Sequence, residues 1–246
     1  MAVKIVTDST SDLPRELAEQ LDIDVVPCNV IFRDEEFKDG IDIGPDEFYR
    51  RLVSSPRLPT TAQPSVHDFL QVYQRLTGEG HEVVSIHLSA KFSGTLNSAT
   101  QAREALESGR VEVIDSQMTS CGLGLLTLFA ARLAGTGASC EQVLEEVQAA
   151  LPRTHCYFLL DTLEYLQKGG RIGRASAFVG SLLNIKPILT IRDGEAHPSE
   201  RARTRERGLQ RLAEIMRGLG PAKHLAIVHS TAPADAESLR DRLSDL

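Results

Sequence analysis

Three hydroxyl-rich runs hold the residues best suited to binding chemistry: Thr7-Asp8-Ser9-Thr10-Ser11-Asp12, Thr60-Thr61-Ala62-Gln63-Pro64-Ser65 and Phe92-Ser93-Gly94-Thr95-Leu96-Asn97. Hydroxyls beside helix-start N–H groups are donors that suit a small anion. Taken singly, each run also reads as a helix cap, because Ser, Thr and Asp satisfy the first free N–H groups of a helix. Ser93 raises a second chemistry. It sits in a strand-loop-helix turn, as an acyl-transfer serine would, with His87 and Asp115 as partners. Yet Lys91-Phe92-Ser93-Gly94-Thr95 is no G-x-S-x-G elbow, and His87, inside a predicted strand, reads better as a satisfied core histidine. Cations gather later in the chain. Lys168, Arg171 and Arg174 have no acid among them, and Arg201, Arg203, Arg205 and Arg207 alternate with Glu206 as the only acid between. Such runs usually form a solvated face; in an acidic protein they also suit an anion or an acidic partner. Arg203 and Arg205, two apart at a strand-helix junction, are placed to point one way.

Other motifs fail on inspection. Gly169-Gly170-Arg171-Ile172-Gly173-Arg174 lacks the Gly-Lys-Ser/Thr of a phosphate loop, and Cys121-Gly122-Leu123-Gly124 lacks the third glycine of a dinucleotide fingerprint. The seven histidines show no helical i, i+4 pair, so neither a metal nor another cofactor is expected.

The elements that must position these residues alternate. Val3–Thr7, Val25–Phe32, Glu82–Leu88 and Val111–Ile114 read as strands. Helix-length segments separate them, with Pro14 and Pro45 at helix starts. Ser65 with Asp68, and Ser139 with Gln142, have the spacing of capping boxes. Ser54–Ser65, with prolines at 56, 59 and 64, reads as a loop. This alternation predicts βαβ crossovers and a mostly parallel sheet. After Leu151 the pattern changes. Lys186–Arg192 and Glu195–Ser199 flank Asp193-Gly194, a hairpin turn signal, and His224–His229 reads as a further strand. The expectation is α/β with two domains: residues 1–150, a three-layer α/β/α domain with the ligand loops, and residues 151–246, a smaller domain with a mixed sheet.

Composition narrows the partners. Lys+Arg number 27 against 34 Asp+Glu, a net charge of −7, and there is no Trp. That balance opposes non-specific nucleic-acid binding, which needs excess cations. The apolar stretch Gly122–Ala131 is too short to span a bilayer. Four cysteines without a CxxC pair, and an N-terminus that begins directly as a strand, point to a reduced, cytoplasmic protein.

Six runs together carry a resemblance: Val6 to Leu13, Pro59 to Ser65, Ser93-Gly94-Thr95, Leu163-Glu164-Tyr165-Leu166, Lys168 to Ile172 and Arg203-Thr204-Arg205. In this order they resemble the DegV family. The resemblance implies a two-domain α/β protein that holds a long-chain fatty acid in a tunnel between its domains. Such a protein acts not as an enzyme but as the lipid-binding subunit of a fatty acid kinase. It presents the acyl carboxylate to a separate kinase, which makes acyl phosphate for phospholipid synthesis. Carried over by motif, Thr61 and Ser93 hydrogen-bond the carboxylate, Arg203 is the positive partner, and Thr60, Gly94 and Thr95 are neighbours. The Arg171/Arg174 segment is then a candidate for docking the kinase. Leu123–Phe129 and Phe178, Val179, Leu182 and Leu183 are candidates for lining the tunnel. Family members continue with another strand and a loop carrying a His near the head group, whereas this sequence ends in the helix-like Asp241–Leu246, so a shortened second domain is expected. The alternatives are a serine acyl hydrolase using Ser93, or a binder of another small carboxylate or phosphate at the same loops.

Overall fold

The β-branched run at the N-terminus forms β1 (Val3–Asp8), in which every residue except Lys4 is buried. Burial of both faces marks the interior of a parallel sheet. The computed structural model, which describes residues 2–178 and 185–246, divides by contacts into two units, Met1–Thr154 and His155–Leu246.

In the first unit, β1 leads through α1 (Arg15–Gln20) to β2 (Ile23–Val26). An inserted segment follows: β3 (Asn29–Phe32), β4 (Glu35–Lys38), α2 (Pro45–Ser54) and β5 (Thr60–Ala62). The main alternation then resumes with α3 (Val66–Gly78), β6 (Glu82–His87), α4 (Thr95–Glu104), β7 (Val111–Asp115), α5 (Ser120–Gly135) and α6 (Cys140–Ala150). The four-stranded sheet has the order β2-β1-β6-β7 and is parallel throughout. Helices α3 and α4 cover one face, where Val6, Val26 and Val83 pack with Phe69, Tyr73, Leu76, Ala99 and Ala102. Helices α5 and α6 pack on the other face, which gives the three layers expected. The capping boxes at Ser65/Asp68 and Ser139/Gln142 both form, with side chain and backbone bonded reciprocally.

Two local expectations are corrected. Val25–Phe32 is not one strand: it breaks at Pro27-Cys28, where proline has no N–H to give a ladder. Strand β2 stays in the parallel sheet, while β3 starts a separate antiparallel sheet of order β4-β3-β5. Thr60–Ala62, expected as loop, is its third strand, pairing Val30 with Thr61 and Ile31 with Thr60. Three prolines around a three-residue strand hid it, and the partner that makes it a strand lies some thirty residues earlier.

The second unit has β8 (Tyr157–Leu159), α7 (Glu164–Lys168), β9 (Lys186–Arg192), β10 (Glu195–Ala202), α8 (Arg205–Gly218) and α9 (Pro233–Arg242). Asp193 and Gly194 take φ of 50° and 77°, the positive pair a two-residue hairpin turn of the favoured hand requires. The sheet order is β10-β9-β8, antiparallel at both junctions. Ile188 packs beneath Leu209, Leu212, Leu239 and Leu243. His224–His229, expected as a strand, is not one. The sheet edges are β8 and β10, and neither ladder extends to this segment. Val179, Leu182 and Leu183 lie outside the described residues.

Candidate functional site

Chain direction locates the site. From β1 the chain moves to β2 on one side, then returns to place β6 on the other side of β1. The strand order therefore reverses between β1 and β6. In open α/β sheets the crevice beyond the carboxyl ends at such a point is where ligands bind. Two of the three hydroxyl-rich runs leave from it: residues 9–12 follow β1, and residues 88–94 lead from β6 to α4.

Asp8 and His87 close the floor of this crevice. Asp8 Oδ2 accepts from His87 Nδ1 at 2.9 Å and from the Leu88 N–H at 3.2 Å. Its Oδ1 accepts from the Thr10 N–H at 3.1 Å and the Thr10 hydroxyl at 2.5 Å. Both side chains are fully buried. Burial pushes the Asp8 carboxyl up, but the hydrogen bonds from His87, Thr10 and the Leu88 N–H more than offset it, so Asp8 is held below the usual carboxylate range. His87 Nε2 lies 2.7 Å from Ser85 Oγ, and Tyr73 donates to that oxygen at 2.8 Å. One arrangement satisfies every member: the His87 proton sits on Nδ1, Ser85 donates to Nε2, and Tyr73 donates to Ser85.

The turn Ser93-Gly94-Thr95 opens α4. Ser93 Oγ and Thr95 Oγ1 are 2.9 Å apart, and the Thr95 N–H donates to Ser93 Oγ at 3.3 Å. Thr95 is fully buried, whereas Ser93 and Gly94 are half-buried. No side chain caps α4 at Gly94, and its first turn holds no acid. Free N–H groups at such a helix start favour an anion. Thr95 also hydrogen-bonds the Cys28 thiol, as does Ser9; burial first, then the Asp8 charge, pushes that thiol up to about 12. The Cys28 N–H donates to Ser9 Oγ at 3.0 Å. Ser9, Cys28 and Thr95 thus join the loops after β1, β2 and β6.

Gln63 brings the third hydroxyl run to this place. Its Nε2 donates to Ser98 Oγ on α4 at 3.2 Å. A Cβ on Gly94 would lie 2.5 Å from Gln63 Oε1, so glycine at 94 is what lets the amide lie against the turn. Thr60 and Thr61 are both exposed, but neighbours on a strand face opposite sides of their sheet. The structure joins Ser93, Gly94 and Thr95 in one turn and brings Gln63 of the third run against it, with the exposed Thr61 and Thr60 two and three positions earlier on opposite faces of β5. Sequence reading did not single out Gln63, although it lies within the quoted run, nor Cys28.

One expectation changes here. The acyl-transfer arrangement of Ser93, His87 and Asp115 does not form. Both ring nitrogens of His87 are engaged by Asp8 and Ser85, and Asp115 caps its own turn by accepting from the Gln117 N–H at 2.8 Å. Leu123 and Leu126, named as tunnel lining, are buried within the helix that packs on β1 and β6.

In the second unit Arg203 is exposed, just before Thr204, whose hydroxyl caps α8 by accepting from the Arg207 N–H at 3.2 Å. Arg205 is committed elsewhere, to Asp235 at 2.6 Å and Asp161 at 3.4 Å. Arg201 stacks on the Phe178 ring with 4.2 Å to its centroid. Lys168 and Arg174 pair with Glu164 and Glu195. Of the two arginines expected to point together, only Arg203 keeps an exposed head without an acidic partner in these contacts.

The sequence model of the DegV family, described as uncharacterised protein, DegV family, matches residues 2–246. The chain belongs to the DegV family. A DegV domain-containing protein of Caldanaerobacter subterraneus is 37% identical over 231 residues, covering 93% of this chain and 82% of the relative. Among solved structures, a DegV family protein from Thermus thermophilus described by its fatty acid binding is 40% identical. It superimposes with a TM-score of 0.83 over 89% of this chain and 78% of that one. A stearic acid-binding protein from Eubacterium ventriosum is 27% identical, with a TM-score of 0.87 over 98% and 88%. Among the described residues of this DegV chain, no helix is long and apolar enough to cross a membrane.

Proposed function

We propose that this DegV protein binds a long-chain fatty acid as a non-catalytic carrier. Thr61 and Ser93 hydrogen-bond its carboxylate, and Arg203 is the positive partner. Gly94 contributes the open start of α4, and Thr95 acts from beneath by holding the Ser93 hydroxyl. Thr60, placed beside them by the resemblance, is assigned no contact because it faces the other side of β5. The observation that carries the reading is the half-buried Ser93-Gly94 turn at the uncapped start of α4, beside the β1/β6 crevice, in a chain 40% identical to a protein described by its fatty acid binding.

An ionised carboxylate leaving water without partners costs several kcal/mol, so it needs donors and a compensating charge. Hydroxyls and a guanidinium supply these at about 1.5–3 kcal/mol per charge-assisted bond. A tail of about fourteen methylenes offers ~11 kcal/mol gross at ~0.8 each. Association consumes ~4–15 kcal/mol. Tail burial therefore sets affinity, and the head group sets register.

The resemblance supports the further role of presenting the carboxylate to a separate fatty acid kinase for acyl phosphate formation, with Arg171 and Arg174 as docking residues, in the cytoplasm. The binding reading is tested by extracting the purified protein for mass spectrometry and titrating the delipidated protein with stearic acid. Ser93→Ala should weaken binding by ~10- to 150-fold, the equivalent of ~1.5–3 kcal/mol. Absence of any acyl chain together with no uptake on addition would sink it. A short-chain acid competing as well as stearic acid would transfer the site to the small-anion reading.

A further inference from the structure

The deepest polar feature of the first unit takes no part in the contacts assigned to the ligand. Asp8, His87 and Ser85 have no exposed surface, nor does Tyr73. They form one hydrogen-bonded chain from the α3 side of the sheet to the carboxyl ends of β1 and β6. Nothing buried so completely can touch a ligand. What it can do is fix the loops that do.

Asp8 is the last residue of β1 and His87 the last of β6, and these strands flank the point where strand order reverses. The Asp8 carboxylate takes four donors. Two are from the loop after β1, the Thr10 N–H and hydroxyl; one is the Leu88 N–H, the first amide of the loop that carries Ser93; the fourth is His87 itself. The same loop is tied on its other side. The Ser116 N–H donates to the His87 carbonyl at 3.0 Å and the Ser89 N–H to the Met118 carbonyl at 2.9 Å. The Phe92 N–H then closes a turn on the Ser89 carbonyl at 2.9 Å, one residue before Ser93. The Phe69 ring meets the His87 imidazole edge-on, centroids 4.9 Å apart, and blocks its rotation. A ring held by two hydrogen bonds and an aromatic edge has one orientation, and that orientation sets the Asp8 carboxylate.

We propose that the Asp8–His87 pair is a positioning device that holds the Ser93 loop and the loop after β1 at fixed height above the sheet, so that the head-group donors are arranged before a ligand arrives. Prearranged donors raise affinity by removing the ordering cost at binding. The geometry stands on the contacts above, and only the ligand rests on the fatty-acid reading.

The His87 position separates the two halves of the chain. His87→Asn keeps a donor near Nδ1 for Asp8 and gives up Ser85. His87→Gln keeps a group near Nε2 for Ser85 and leaves Asp8 without its side-chain partner. Val143→Ala, in the fully buried core of α6, is a control that loses stability without touching either loop. The readout is the preference for stearic acid over stearyl alcohol, which isolates the head group from the tail. His87→Gln should lower that preference by about 10-fold, the scale of one misaligned charge-assisted bond. His87→Asn and Val143→Ala should keep it within about 3-fold. Equal losses in His87→Gln and Val143→Ala would reduce the pair to a stability element and overturn the proposal. Hydrogen exchange on the unaltered protein gives a second test that needs no variant. The Leu88 and Thr10 amides should exchange as slowly as those of β6, and exchange at open-loop rates would overturn the proposal as well. If the unaltered protein shows no preference for acid over alcohol, the fatty-acid reading fails, and the exchange result still decides whether the pair holds the loops.

Discussion

Replacing Asp8 by Asn changes two atoms' chemistry and almost no volume, so the cost follows from the hydrogen bonds alone. Each carboxylate oxygen accepts two donors: Oδ1 from the Thr10 N–H and hydroxyl, Oδ2 from His87 and the Leu88 N–H. An amide turns its NH2 toward one of these sets. Facing His87 and Leu88, it opposes two buried donors. Facing Thr10, the hydroxyl can rotate to accept, and the Thr10 N–H alone is stranded. The second arrangement is cheaper. It costs about 1–3 kcal/mol for the stranded donor, and the remaining bonds lose their charge-assisted part. The expected total is about 2–4 kcal/mol. At ~2–4 °C per kcal/mol for a chain of this size, Tm should fall by about 5–15 °C at pH 7. The sign with pH is fixed. The folded carboxyl lies below its ordinary 3.8, so its contribution is present above pH ~4 and is lost as pH falls through the folded value. Urea unfolding at pH 7 and pH 3 is the assay, with the gap between the unaltered protein and the variant narrowing in acid. A variant within about 0.5 kcal/mol at pH 7, or a gap that does not change with pH, would refute the reasoning.

Other residues give sharper contrasts. Thr61→Ala should weaken stearic acid binding by ~10-fold or more, while Thr60→Ala, on the opposite face of β5, should change it less than about 2-fold by the same titration. Gly124→Ala places a Cβ 2.6 Å from the Ser11 carbonyl oxygen, so α5 must move off the loop after β1. A loss of ~1–3 kcal/mol in urea unfolding is expected. Asp12→Asn should do the opposite of Asp8→Asn. Burial pushes the Asp12 carboxyl up despite the Ser120 hydroxyl bond, so its favourable contribution is complete below 3.8 and is lost as pH rises through the folded value. A neutral amide removes that loss, still accepts from Ser120, and suits the φ of 52°. Stability at pH 7 should rise, and a fall measured by urea unfolding would count against the sign.

Much of the fold can be read where side-chain pattern and local chemistry agree. The β-branched Val3–Thr7 run, the Ser65/Asp68 and Ser139/Gln142 boxes and the Asp193-Gly194 turn each specify their structure within a few residues. The failures are all non-local. Thr60–Ala62 is a strand only because Asn29–Ile31 lies beside it, and His224–His229 has a strand's composition but, among the described residues, joins no sheet ladder. The candidate site divides the same way. Its hydroxyls stand out as runs in the sequence, but the groups that join those runs do not. Gln63 reaches α4 across 35 positions and Asp8 reaches His87 across 79. His87 was legible as a satisfied core histidine; that its partner would be the aspartate of the first hydroxyl run was not, because only the adjacency of β1 and β6 brings them together.

Charge explains why hydroxyls alone do not complete such a site. Residues 1–154 carry 13 Lys+Arg against 23 Asp+Glu, a net −10, whereas residues 155–246 carry 14 against 11, a net +3. At the carboxyl end of the parallel sheet the first unit adds Asp8, Asp12 and Asp39, of which Asp8 is fully buried, Asp39 half-buried and Asp12 exposed. Their oxygens are taken by internal donors, but their negative field is not removed, and at low dielectric it acts over longer distances than in water. On the proposed reading, a carboxylate held by Ser93 and Thr61 therefore meets hydrogen bonds in an unfavourable potential. Neutral donors set its direction; they cannot supply the missing positive charge. On the proposed reading Arg203 supplies that charge: Arg201 is stacked on Phe178 and Arg205 is paired with Asp161 and Asp235, whereas Arg203 and Arg207 are exposed.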